Sequence, residues 1–105
     1  MVQIPDNIKN TIQQYLVALR RHNIPLQQVF LFGSYARGNY DEWSDIDLAV
    51  VSDIFEGSRM RDRDKIRSIT LSVSSVIEVL PYKPEDFTEE DPFVKEILET
   101  GVQIV

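Results

Sequence analysis

No cysteine occurs in this chain, and His22 is its one histidine. Disulfides, thiolate nucleophiles and cysteine-ligated zinc are thereby excluded, and one imidazole cannot build a poly-histidine metal site. Long apolar runs are missing too. Stretches such as Leu48 to Val51 fall far short of the roughly twenty residues that a membrane-spanning helix needs, so no membrane association is expected. The opening Met1-Val2-Gln3-Ile4-Pro5-Asp6 has no basic-then-apolar signal pattern, which makes a cytoplasmic protein the expectation. Positive charge is scarce: 11 Lys and Arg against 17 Asp and Glu leave a net charge of -6. A surface of that sign displaces few counterions from nucleic acid, so direct nucleic-acid binding is not expected. Repeats, low-complexity segments and linkers are also lacking, and 105 residues suit a single domain spanning 1–105 with a core of its own.

The chain is organised around Val29 to Val51. Val29 to Phe32 reads as a strand, Gly33 to Gly38 as a tight turn into a short helix, Asn39 to Ser44 as a polar loop, and Asp45 to Val51 as a second strand. Before this unit, residues 6 to 22 carry Ile8, Ile12, Tyr15, Leu16 and Leu19 at helical spacing, with Asp6 as the expected N-cap and Pro25 as the stop. After it, Ser58 caps a helix running to about Ser75, whose apolar positions Met60, Ile66, Ile69, Leu71 and Val73 fit one face loosely. The alternation of Arg59, Arg61, Arg63, Lys65 and Arg67 with Asp62 and Asp64 reads most simply as a solvated, internally paired surface, the sharper alternative being a basic ridge that reaches a triphosphate or an acidic partner. Val76 to Leu80 is a third strand that Pro81 should end, placed centrally in the sheet. Asp91-Pro92 opens a short helix closed by Gly101, and Val102 to Val105 forms a last strand. The order predicts a two-layer α/β (α+β) domain, a mixed sheet backed by helices.

Chemistry is carried by two local patterns. An apolar strand closed by Gly33-Ser34 and running into a helix start can present unpaired backbone N–H groups to a phosphate, and Gly33 permits close approach. Asp45 and Asp47 stand at positions i and i+2 of one strand, on one face, with Cα atoms roughly 6–7 Å apart. Oxygen pairs of this kind suit a divalent cation such as Mg²⁺. Glu78, between apolar neighbours in its strand, is the natural third acid, since burying it there is costly unless it meets a cation; the other reading is an edge-strand Glu pointing at water. Arg37, one turn past Ser34, is placed for a phosphate or a partner's carboxylate as readily as for solvent. Tyr35, Tyr40 and Trp43 flank the loop and could stack a base, anchor a partner or, for Tyr35 above all, pack in the core.

Gly33-Ser34, ten intervening residues and Asp45-Ile46-Asp47 resemble the signature of the minimal nucleotidyltransferases, single-domain members of the DNA polymerase β-like superfamily. The likeness extends over nearly the whole chain and implies the polymerase β-like nucleotidyltransferase fold. It implies that Asp45, Asp47 and Glu78 are catalytic and hold Mg²⁺, with two ions expected, and that Gly33, Ser34 and Arg37 bind the nucleotide. The chemistry implied is Mg²⁺-dependent transfer of AMP from ATP to a hydroxyl. The leading acceptor is a tyrosine of a HEPN-domain ribonuclease toxin, which would make this chain an antitoxin acting by adenylylation. Glu78 departs from the commoner Asp at the third position and keeps open a weakly catalytic or purely binding partner subunit. A small-molecule acceptor of the aminoglycoside kind is a third reading, although such enzymes carry a further domain. The acceptor platform is expected from another subunit or a second copy of this chain.

Overall fold

A computed structural model describes residues 3–105. Four strands, β1 (Gln28–Phe32), β2 (Ile46–Val51), β3 (Ile77–Tyr82) and β4 (Val102–Gln103), form one sheet among these residues, in the order β3-β2-β1-β4. β1 pairs antiparallel with β2 and β4, whereas β2 and β3 run parallel, so the sheet is mixed. Parallel neighbours need a crossover, and helix α3 (Arg59–Val73) supplies it. The central β2 reads Ile-Asp-Leu-Ala-Val-Val, nearly all apolar, because both of its faces are covered over most of its length.

Alternation along the strands divides the core in two. Val29, Leu31, Ile46, Leu48, Val50, Ile77 and Val79 face α1 (Asp6–Arg21) and α3, meeting Ile12, Tyr15, Leu16 and Leu19 from the first and Ile66 and Ile69 from the second. The opposite face carries Phe30, Ala49, Val51 and Tyr82, covered by Phe87 after a short 3-10 turn (Pro84–Asp86) and by Val94 and Ile97 of α4 (Pro92–Thr100). Asp47 and Glu78 belong to this second face by alternation. The layer of Phe87 and α4 leaves them accessible, Asp47 half-buried and Glu78 exposed. Across the larger core, Thr70 donates its hydroxyl to the Ile66 carbonyl (3.1 Å) and receives the Tyr15 hydroxyl at 2.7 Å, joining α1 to α3. Burial pushes the Tyr15 phenol up to about 12, against the opposing effect of that bond.

Several local expectations change. Pro5, not Asp6, is the N-cap of α1, and no side chain caps that end. The helix stops at Arg21, ahead of Pro25, where Asn23 takes a left-handed φ of 61°. Ser58 and Asp91 do cap α3 and α4, accepting from the Arg61 and Phe93 amides. α3 ends at Val73, and Met60 and Leu71 point to solvent while Ile66 and Ile69 are buried. Gly101 closes α4 in an extended conformation rather than a left-handed one. Beyond Gln103, Ile104 and Val105 donate amides to the Val29 carbonyl without extending β4.

β3 departs furthest. It runs through Pro81 to Tyr82 and lies at the edge of the sheet, not in its middle. Val76 and Tyr82 turn their carbonyls to β2, accepting from Ile46 and Ser52, so the intervening odd-numbered residues direct their polar backbone outward. Pro81 therefore removes a donor only from the free edge, where proline is tolerated.

Asp62 is not part of a solvated surface either. It is 1 % exposed, and its two oxygens accept the Glu56 and Gly57 amides at 2.8 and 2.9 Å, fastening the turn ahead of α3. Replacing Asp62 by Ala strands both donors, and urea denaturation should show a loss of about 1–3 kcal/mol. An unchanged midpoint would mean that water satisfies the two amides equally well.

Candidate active site

The site is built where β1 ends. After Phe32 the chain turns at Gly33, whose φ of 76° and ψ of -151° lie in a region that is essentially glycine's alone, and enters α2 (Ser34–Arg37). The Gly33 carbonyl accepts the Ala36 and Arg37 amides, both at 3.1 Å, which closes the single turn. Antiparallel register sets Phe32 opposite Asp47, so the carboxylate of Asp47 lies against this bend. A methyl group on Gly33 would overlap a carboxylate oxygen of Asp47 and stand 3.1 Å from its Cγ. The glycine is thus required twice, for its backbone conformation and for the space that Asp47 fills.

Parallel register pairs Asp47 with Glu78, which puts their side chains on one face. Asp45 lies just ahead of β2 and is exposed, as is Glu78. Burial raises the pKa of the half-buried Asp47 above its ordinary 3.8, the charges of Asp45 and then Glu78 add to the rise, and Arg37 opposes it. The two other acids and Arg37 are therefore all within electrostatic reach of Asp47. Among the described residues, however, no three His, Cys, Asp or Glu side chains are gathered closely enough to form a ready ion cage. The sheet brings Asp47 and Glu78 to one face, with Asp45 one residue ahead of β2, without a ready cage of three acids.

A cleft of about 240 Å³ opens here, lined by Gly33, Arg37 and Asp47 on one side and by Phe93, Glu96 and Thr100 of α4 on the other. Phe93 meets Phe32 edge-on at 5.7 Å. The wall from α4 is not anticipated by the sequence reading; its only advance signal is that Phe93, Glu96 and Thr100 recur at helical spacing. Of the loop aromatics, Tyr35 is buried and stacked on Tyr40 at 4.7 Å, which settles its core role. Trp43 is 84 % exposed, on a turn closed by the Trp43 amide to Asp41 Oδ1 at 2.8 Å.

Residues 12–104 match the family model described as the nucleotidyltransferase domain. The chain belongs to this family, and it is a nucleotidyltransferase of the polymerase β-like fold. It is 35% identical over 83 residues to a Methanocaldococcus jannaschii protein provisionally named protein adenylyltransferase MJ0141, covering 75% of this chain and 79% of the relative. A second protein of that organism, MJ0604, carries the same provisional name and is 41% identical over 49 residues, 46% of this chain and 49% of its own. Among solved structures, a toxin-antitoxin with AMP-PNP aligns with a TM-score of 0.63 at 24% identity, covering 89% of this chain and 71% of that one. A point-mutant form of the toxin-antitoxin MntA-HpeT aligns at 0.59 and 20%, covering 98% and 73%. These structural likenesses speak for the fold.

The folded chain holds the Asp47 proton more tightly than the unfolded chain does. Stability is therefore lost as pH rises from the ordinary aspartate value through the raised one. In the absence of divalent cations, Asp47→Asn should raise the urea midpoint at pH 7, and the gain should vanish by about pH 3, below both values. A gain of equal size at both pH values would assign it to packing instead of charge.

Proposed function

We propose that this chain transfers AMP from ATP to a hydroxyl, with Asp45, Asp47 and Glu78 as its acidic trio and Gly33, Ser34 and Arg37 as its nucleotide-binding residues. One observation carries this reading: the Asp47 carboxylate is lodged against the Gly33 bend while two further acids push its pKa up. Three neighbouring like charges, opposed by one arginine, fit a place for cationic charge. Asp45, Asp47 and Glu78 would hold Mg²⁺, which when bound neutralises phosphate charge and lowers the pKa of the acceptor hydroxyl.

The chain's own residues supply the positioning that dominates catalysis of this kind. The bend at Gly33-Ser34 turns backbone donors toward the β- and γ-phosphates, and the exposed Arg37 adds charge beside them. Packing against the bare Cα of Gly33 places the Asp47 carboxylate at the bend. The acceptor oxygen bonds to the α-phosphorus as the bond to the bridging oxygen breaks, pyrophosphate leaves, and the hydroxyl proton passes to a carboxylate of the trio. ATP is the donor favoured by the provisional adenylyltransferase names of the relatives and by the AMP-PNP in a structural neighbour.

The acceptor we favour is a tyrosine on a HEPN-domain toxin subunit, a reading that gains support from the toxin-antitoxin neighbours. A second reading, a partner subunit that binds without efficient transfer, is favoured by the exposed, edge-strand Glu78 and by the spread of the three acids.

Calorimetry with ATP and Mg²⁺ separates the two, because a pure scaffold shows no metal-dependent nucleotide binding. Intact mass spectrometry of the candidate acceptor after incubation should then show an added adenylate. Asp47→Asn should reduce this labelling by at least about 100-fold while leaving the chain folded. Undiminished labelling would remove Asp47 from the site, and unchanged turnover in Glu78→Gln would do the same for Glu78.

A further inference from the structure

A wide groove lies at the other end of the second sheet face. Tyr82 is four residues beyond Glu78 on β3, roughly 13 Å along the strand, so this groove is separate from the acidic trio. Its volume is about 600 Å³, and Arg59, Tyr82, Glu85, Asp86, Glu90 and Asp91 line it. Four carboxylates face one arginine. Part of this charge is already committed: Asp91 Oδ1 accepts the Phe93 amide at 2.9 Å, and Lys83 Nζ stands 3.9 Å from Glu85.

The rim is fixed in place. The buried Asp62 holds the Glu56 and Gly57 amides, and Gly57, at a φ of 95°, packs so closely that a Cβ there would come within 3.1 Å of the Lys83 side chain and 3.4 Å of Asp86 Oδ2. Tyr82 forms part of the floor. It is 6 % exposed, and its hydroxyl is buried with no hydrogen-bond partner among the described residues. Arg59, the first residue of α3, is exposed, with its guanidinium carbon 5.7 Å from the centre of the Tyr82 ring. It approaches the hydroxyl without hydrogen-bond geometry. Burial raises the phenol's pKa, with Arg59 acting against the rise through its charge and its approach to the hydroxyl and Asp91 adding to it, and Tyr82, Arg59 and Asp91 all line the groove.

A buried hydroxyl without a partner is costly, and an acidic groove over an aromatic face is suited to a cation. We propose that this groove docks a basic segment of a partner protein. One arginine or lysine of the segment takes the place of Arg59 over the Tyr82 ring and donates to the Tyr82 hydroxyl, while its other cations meet Asp86 and Glu90. The pose of Arg59 shows that a guanidinium fits the ring. The groove exceeds the size of one side chain, which favours an extended segment over a single small cation.

The test is a titration of the ¹⁵N-labelled chain with the peptide acetyl-Gly-Arg-Gly-Lys-Gly-Arg-Gly-amide, followed by NMR at about 0.15 M salt, where exposed charges are largely screened. The proposal expects amide shifts concentrated at Tyr82, Glu85 and Asp91 and half-saturation below about 1 mM. Asp86→Asn combined with Glu90→Gln should weaken binding about tenfold or more, and Tyr82→Phe about three- to tenfold with the folded spectrum retained. Shifts scattered over every acidic surface, or affinity indifferent to both variants, would overturn it. Equal affinity for spermidine, which matches the peptide's charge, would overturn the assignment to a protein segment and give the groove to a free polyamine. Neither ATP nor transfer enters this measurement, so its outcome is independent of the proposed activity.

Discussion

The placing of one carboxylate against one bare Cα is the contact on which this structure turns. Asp47 can occupy its position only because Gly33 has no side chain, and Gly33 can make its bend only because glycine tolerates that backbone conformation. Register links the two: Phe32 opposite Asp47 fixes β1 against β2 and so sets the carboxylate at the bend that opens α2. A one-residue slip in this pairing would turn Asp47 into the larger core and Ile46 into the cleft. The apolar alternation that stabilises the fold therefore also sets the geometry of the site.

The rest of the molecule supplies the stability that this arrangement lacks. Asp47 is held near two other acids and partly out of water, an unfavourable electrostatic position in the isolated chain. The larger core, between the sheet and helices α1 and α3, lies on the opposite face and contributes its packing without regard to the acids. The smaller core under α4 stops short of Asp47 and Glu78, leaving them open to ligands. A local departure from good folding rules, surrounded by consistent ones, is the usual physical mark of a working site.

How far this could be read in advance follows the range of the interactions concerned. The Gly33-Ser34 bend, the Asp45 and Asp47 spacing and the caps at Ser58 and Asp91 are local, each readable within a few residues, and the elements they define begin within a residue or two of the expected places. Strand order is not local. The central place expected for β3, and with it a buried Glu78, assumes a neighbour on both sides, whereas the sheet ends there. Pro81 misleads for the same reason, since proline terminates an interior strand and not an edge one. Asp62 looks like one more charge on a striped helix because its partners, the Glu56 and Gly57 amides, have no side-chain signature. The wall that α4 lends to the cleft depends on how that helix packs over β1, which spacing alone does not specify.

The outer side of β3 carries one more implication. At position 81 it has no donor to offer, and at Val79 the outward carbonyl already receives the Arg63 guanidinium at 3.3 Å. A margin interrupted in this way is a poor template for accretion of a foreign β segment, the route by which unprotected sheets polymerise. Glu78, exposed on this same strand, is spared a neighbouring β segment by the same interruption.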